Sequence, residues 1–470
     1  MKQQGLKNKL AFASADIFGG GSFNIVNFLY SYFLVVTVGI SPFWAGFIML
    51  FARLWDAITD PIMGYLSDKT QSRFGKRRIY LIVSSPLVLL SMYFLFFPYD
   101  FSETFLKVMV VLLSYLVFTT VQTMVMIPYY SLSSEISRDY QTRASYNSYR
   151  LGFSIFSSII CVAVPGIIVN SFDEATIGYQ VMSLSFGFIF ALSILVTGLF
   201  AKEEIMSKPV QSKLSFKHLT QPLSLKPFRH YLWMFMMLHM TMAIMSGLYF
   251  FFVNFYVDQK TTASGQASMV GLIGAAIMFS MQIVALPLYL KMIEKRGKTY
   301  AYRFGAFLWI FTAILLFLIP QNGNPLLVYG VGALMGLGIS GPGLVPHAMY
   351  GDVVDAGELK FKTRLDGQMS GFTNFINKIA QGVGLSLVMW IIGFAGFIER
   401  QPGEAEVLLQ PDSAMLAIRL ILLIAPMVLM GFGIFVSRKY TIDAHKHAQI
   451  KHMIESETYP ADGIISELLS

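Results

Sequence analysis

The chain has 470 residues, of which 55% are hydrophobic and only 13% charged, with a mean hydropathy of +0.59. A soluble protein carries about a quarter of its residues as charges, so a water-facing surface is excluded and a lipid-facing one is expected. The net charge of +8 does not call for nucleic acid, because basic loops on one side of a membrane account for it, and the single cysteine, Cys161, excludes an internal disulfide or a cysteine metal site.

The N-terminal MKQQGLKNKL is basic but has no small-residue cleavage site, so the first apolar run reads as a retained helix. Apolar runs of roughly 20 residues or more, enough to cross a bilayer, fall at about 10–38, 42–66, 78–98, 104–130, 147–171 and 178–200. Six more follow at about 228–257, 264–290, 297–319, 324–351, 367–397 and 413–437. The expected fold is an all-α membrane protein of twelve transmembrane helices in two pseudo-symmetric six-helix halves. Its parts are an N-terminal half, 1–200, a cytoplasmic linker, 201–227, a C-terminal half, 228–440, and a polar, partly mobile cytoplasmic tail, 441–470.

Most of the 35 lysines and arginines fall in the loops that share a side with the N-terminus, leaving Lys107, Lys260 and Arg400 in the opposite loops. By the positive-inside rule both termini are cytoplasmic. The loop GYLSDKTQSRFGKRR after span 2 has a counterpart, LPLYLKMIEKRGKTY, after span 8. Each places an acid shortly before a basic-Gly-basic turn: Arg73, Gly75 and Lys76 in one, Arg296, Gly297 and Lys298 in the other. Parallel six-helix halves with a site between them describe the major facilitator architecture, and the first loop resembles that superfamily's signature between helices 2 and 3.

Charges inside the spans point to function. A charge at the centre of a span costs about 2.5–3.5 kcal/mol and usually faces a partner or a cavity. In RLWDAITDPIMGYLSD of span 2, Asp56 and Asp60 lie one helical turn apart on one face, with Arg53 beside Asp56. The carboxylates either supply hard oxygens to a small cation or hold a titrating proton between them; a plain salt-bridge cluster is the structural alternative. Arg150 lies in YNSYRLGFSIF of span 5, and Asp16 near the start of span 1. In span 11, Asn374, Asn377, Lys378 and Gln381 form one polar stripe, as expected of a helix lining water or substrate. Arg419, near the start of the last span, reads as a snorkelling side chain.

The helix 2 motif resembles that of the glycoside–pentoside–hexuronide:cation symporters. The resemblance runs nearly end to end and includes KLAFASADIFGGG, MIPYYSL and YGDVVDAGELKFKTR. It implies that Asp56 and Asp60 are the cation carboxylates, that Thr123 and Lys378 belong to or adjoin the cation site, and that Arg150 and Tyr130 bind sugar, Tyr130 by stacking on the pyranose. Arg53, Asn374 and Gln381 are further substrate candidates. Two departures remove negative charge: Met126 stands where the family has Asp or Asn, and Gly20 where a sugar-transporting member has an aspartate. A thioether is a poor ligand for a hard cation, so sodium, proton or no coupling all stay open. With Arg53, Arg150 and Lys378 retained, a uronic acid or uronate-bearing oligosaccharide is the expected substrate.

Lipid-transporting relatives share the Asp pair, so a lysolipid or other amphiphile carrier is the alternative; an uncoupled facilitator and a non-transporting sensor are others. Asp68, Arg73, Lys76, Arg77 and Glu135 read as a latch between helices, and Asp352, Asp355 and Arg364 as a cytoplasmic gate. His347 lies in the Gly- and Pro-rich GISGPGLVPHAMYGD, read either as packing or as a broken helix at the site. No nucleophile–base set appears, so an enzyme is not expected. Nor is a cofactor, beyond a coupling H+ or Na+, the Na+ at Asp56 and Asp60. The expected partners are a small sugar or sugar acid and the bilayer, without nucleic acid. The expected protein is a monomer in the plasma (bacterial inner) membrane.

Overall fold

A computed structural model describes residues 5–136, 140–201, 221–259, 266–363, 365–399 and 409–456. Arg364, Arg138, Lys260, Arg400, most of the linker, the side chain of Arg143 and the end of the tail lie outside the described residues. Among those described, the chain is helical without strands.

Ten helical stretches are long and apolar enough to cross a membrane. The other two expected spans are helical as well but depart from a plain apolar rod, for two physical reasons. The first is broken into α1 (Leu6–Ala13), α2 (Asp16–Ile25) and two π-helical segments, Val26–Tyr30 and Phe33–Thr37. The second, α3 (Pro42–Lys69), carries Arg53, Asp56, Asp60 and Asp68, which lower its apolarity. A proline at its first position starts it with a pre-set φ.

α4 (Arg78–Leu95), α5 (Thr104–Glu135), α6 (Tyr140–Asn170) and α7 (Ala175–Phe200) complete the N-terminal set. α8 (Lys226–Phe252) runs into a π-helical end, Val253–Val257. Then come α9 (Met269–Val284), α10 (Leu286–Arg296), α11 (Lys298–Phe317), α12 (Pro325–Phe361), α13 (Asp366–Phe394), α14 (Asp412–Ser437) and α15 (Ala444–Glu455). The two basic-Gly-basic turns use the same device. Gly75 sits at φ 108° and Gly297 at φ 86°, backbone that glycine adopts without a Cβ penalty. Large apolar side chains stay exposed on the helices, such as Leu113, Phe188 and Phe307, as lipid contact requires.

Packing divides the chain into two compact units. The first comprises 1–211, 246–276 and 385–417. In it α2 packs on α6, α3 on α5, and α4 on both α5 and α7. The break in the first span is satisfied by α7: the amide of Ala15 donates to Thr197 Oγ1 at 3.0 Å, and Thr197 donates to the Ala11 carbonyl at 2.7 Å. Segment 246–276 is held to the first span by Asn254, whose Nδ2 donates to the Tyr32 hydroxyl at 2.7 Å. Ser386 donates to the Gly46 carbonyl at 2.8 Å.

The second unit comprises 212–245, 277–384 and 418–470. Its centre is the close pairing of α11 with α12, where an added Cβ on Gly338 would lie 2.7 Å from the Trp309 amide nitrogen. Part of the tail is helical. Residues 444–455 form a helix, started by the Asp443 carboxylate accepting from the Lys446 amide at 2.8 Å, and it packs on α12 with Ile450 fully buried. Its apolar anchors are too few to stand out as a span.

Candidate functional site

The acidic pair lies within the first unit. Arg53 and Asp56, both buried, face each other one turn apart on α3, with Nη1 3.7 Å from Asp56 Oδ2. Arg53 also donates from Nη2 to Asn27 Oδ1 at 3.1 Å. Asn27 sits on the first π-helical segment, and the polar pair ties the first span to α3. Nothing in the periodicity singles out Asn27; the signal was an amide inside an apolar run.

Asp60 is half-buried and accepts a hydrogen bond from Thr123 Oγ1 of α5 at 2.9 Å. The two carboxylates thus have different surroundings: Asp56 lies beside a guanidinium and Asp60 beside a hydroxyl. Carboxylate and hydroxyl oxygens form a hard donor set, chemically suited to Na+ and equally to a transferable proton. Met126 adds no oxygen; its terminal methyl packs against Gly19 on α2. Among the described residues, no cluster of three or more His, Cys, Asp or Glu could hold a metal ion.

A second constellation stands beside the first. Arg150 of α6 lies with its guanidinium carbon 5.4 Å from the centre of the Tyr130 ring, within cation–π range. Its Nε is 3.8 Å from Asp16 Oδ2 on α2. Gly20, where a sugar-transporting member of the family has an aspartate, is where α2 touches α6: an added Cβ would lie 2.6 Å from the Ser154 carbonyl oxygen. The space for a side chain there is taken by backbone. An open apolar groove of about 540 Å³ runs alongside, lined by Leu10, Ile17, Tyr149, Gly152, Phe153 and Phe156.

The α13 stripe lies within the second unit. Gln381 is buried and donates from Nε2 to Asn377 Oδ1 at 2.6 Å. Lys378 is half-buried and Asn374 exposed. His347 on α12 presents its ring edge-on to Phe235, 5.9 Å between centres. Arg419 donates to the Phe317 carbonyl at 2.8 Å.

The latch residues form a tight cluster, with one exception. Arg77 is buried; its guanidinium pairs with Glu135 at 3.1 Å and Asp68 at 2.5 Å, and donates to Ser67 Oγ at 2.6 Å. Lys76 lies 3.4 Å from Asp68. Arg73 is exposed and stacks over Phe74 instead. In the second unit, Lys298 pairs with Asp352 at 2.5 Å. In both basic-Gly-basic turns the residue after the glycine, Lys76 or Lys298, thus belongs to an ion cluster with an acid toward the end of a later helix, Glu135 of α5 or Asp352 of α12. His447 of α15 adds contacts at 3.0 Å to Asp355 and 3.5 Å to Asp352. That partner had no sequence signal, because it lies about a hundred residues from the acids.

Three comparisons bear on this arrangement. The chain is 26% identical to an uncharacterized symporter, sll1374, of Synechocystis, over 97% of this chain and 99% of that one. It is 24% identical to sodium-dependent lysophosphatidylcholine symporter 1 of Xenopus tropicalis (96% and 91%) and 24% identical to a protein named putative glycoside/cation symporter YagG of Escherichia coli K12 (99% and 98%). Among solved structures, the nucleoside transporter NupG aligns with a TM-score of 0.58 at 13% identity, over 93% of this chain and 97% of that one, a likeness of fold. The family described as MFS/sugar transport protein matches residues 11–444. With its helical spans and membrane-buried ion pairs, the chain belongs to that family and has the major facilitator fold.

Proposed function

We propose that this cation-coupled symporter of the major facilitator type carries a sugar or sugar acid, with a hexuronide or uronate-bearing oligosaccharide the best fit. The observation that carries the reading is the Asp56–Asp60 pair on one face of α3, with Thr123 donating to Asp60. Asp56 and Asp60 take the coupling ion, H+ or Na+, while Arg150 over Tyr130 takes the sugar, the ring stacking on its apolar face and the guanidinium forking onto hydroxyls or a carboxylate. Lys378, Asn374 and Gln381 on α13 are further substrate contacts in this reading. Halves 1–200 and 228–440 rock about the site in alternating access, with the Arg77 and Lys298 ion clusters gating the cytoplasmic side. In this reading both termini are cytoplasmic, and the protein works as a monomer in the plasma (bacterial inner) membrane. A ligand shifts such a two-state balance only by its different affinity for each state, which here means neutralising the acidic pair.

The test is substrate-driven ion movement in proteoliposomes, with pH- and sodium-sensitive dyes inside and Asp60→Asn in parallel. Screened substrates are neutral glycosides, hexuronates and oligouronides. Ion flux that requires a sugar and vanishes in the variant supports the reading. Competition by neutral glycosides but not by uronates removes the acid specificity, and sugar entry without ion flux makes the protein a facilitator.

The open groove favours a second reading, in which an amphiphile lays its apolar chain along Phe153 and Phe156. Two of the similar proteins are named for lysophosphatidylcholine and for glycosides respectively, so a lysophospholipid belongs in the same screen.

A further inference from the structure

Asp16 is buried at 6% exposure at the first position of α2, yet the cation reading does not use it. Its charged neighbour is Arg150, and the two are poorly joined. The Nε–Oδ2 separation of 3.8 Å exceeds a hydrogen bond. Arg150 Nε is itself buried and makes no hydrogen bond among the described residues. A guanidinium with donor capacity to spare, lying on an aromatic ring, is prepared to take a second anion. The space around Asp16 is also specific: Gly19 has no Cβ because the Asp16 carboxylate and the Met126 methyl fill that position. Of the elements around it, α6 contributes Arg150, α5 contributes Tyr129 and Tyr130, whose phenols feel the Asp16 charge, and α7 has no charged residue in its sequence. Asp60 of α3 also acts on Tyr130.

Resting on the sugar-acid reading above, we infer that Asp16 is a second coupling carboxylate, which holds Arg150 in the empty site and takes up a proton when an anionic substrate draws Arg150 away. The charges balance. The substrate carboxylate replaces Asp16 as the partner of Arg150, and one proton from water adds to an Asp16 oxygen. The site therefore gains no net charge when a monoanion enters. A buried carboxylate stripped of its counter-charge is neutralised rather than left ionised. A neutral sugar leaves the Asp16–Arg150 pair intact and triggers no uptake at Asp16. This proton is separate from the ion held by Asp56 and Asp60.

The experiment measures net proton exchange on adding D-galacturonate, and separately methyl β-D-galactoside, to purified full-length protein in weakly buffered detergent solution. Wild type, Asp16→Asn and Asp16→Glu are compared. Wild type is expected to take up about one proton more per ligand with galacturonate than with the methyl galactoside. Its galacturonate affinity then falls as pH rises, by about tenfold per pH unit if one proton accompanies each ligand. Asp16→Asn loses this excess uptake and the pH dependence that goes with it, while Asp16→Glu keeps both. If Asp16→Asn does not fold, a protonated-carboxyl band appearing in the wild-type infrared difference spectrum on galacturonate addition, and absent with the methyl galactoside, supports the proposal; no such band overturns it. Galacturonate binding with uptake undiminished in Asp16→Asn overturns the Asp16 assignment alone. No galacturonate binding to wild type overturns the sugar-acid reading and the proposal with it.

Discussion

Thr123 reaches from α5 to donate its hydroxyl hydrogen to Oδ1 of Asp60 on α3 at 2.9 Å. A hydrogen bond to a charged acceptor contributes about 1.5–3 kcal/mol. Thr123→Ala is therefore expected to raise the cation concentration for half-maximal transport about tenfold or more, and Thr123→Ser to restore it. Cation titration of uptake in proteoliposomes reads the difference. An unchanged titration in Thr123→Ala would remove the residue from the ion site.

The Arg77 cluster separates buried from exposed partners. Arg77 and Glu135 are buried, whereas the Asp68 side chain is 56% exposed. Arg77→Ala leaves Glu135 buried without its main counter-charge and should cost about 3–5 kcal/mol. Asp68→Ala should cost about 0–1 kcal/mol. Thermal unfolding of the purified variants orders them; equal losses would contradict the burial argument.

Restoring an acid at position 20 should fail. The nearest atoms to an added Cβ include the Ser154 carbonyl oxygen at 2.6 Å, which moves only with α6 itself. Gly20→Ala should lose about 1–3 kcal/mol by overpacking, and Gly20→Asp at least as much. The check is melting temperature together with uptake of a neutral galactoside, which Gly20→Asp should not improve.

α15 should be held by its histidine. His447 contacts Asp355 at 3.0 Å and Asp352 at 3.5 Å. His447→Ala is expected to increase proteolytic cleavage within 444–455 while leaving Lys298–Asp352 in place. Lys298→Ala should instead lower the melting temperature, since it removes the 2.5 Å partner of a buried carboxylate. Limited proteolysis of both variants distinguishes the two contacts.

The local geometry around Arg53 and Asp56 is legible in the sequence. Arg53 and Asp56 are neighbours because three residues make most of a helical turn, and that geometry needs only the sequence. The basic-Gly-basic turns were legible for the same local reason, and Gly75 and Gly297 both adopt positive φ. Arg73 shows the limit: its loop placed it with the latch, but it stacks on Phe74 while the buried guanidinium of Arg77 takes the acids. Which base in a run points inward depends on where the next helix begins.

By itself the sequence determined that this is a helical membrane protein, where its spans fall and which charges lie within them. Those properties follow from apolar run length and from the cost of a charge in lipid, both local to a segment. The tertiary structure alone decided partnership: Asn27 with Arg53, Asp16 beside Arg150 and His447 with Asp355. It also decided that Gly20 has no room for a side chain. Such pairings depend on how far one helix slides and turns against another, and a shift of a single turn, about 5.4 Å, would exchange every partner without altering the periodicity of any span.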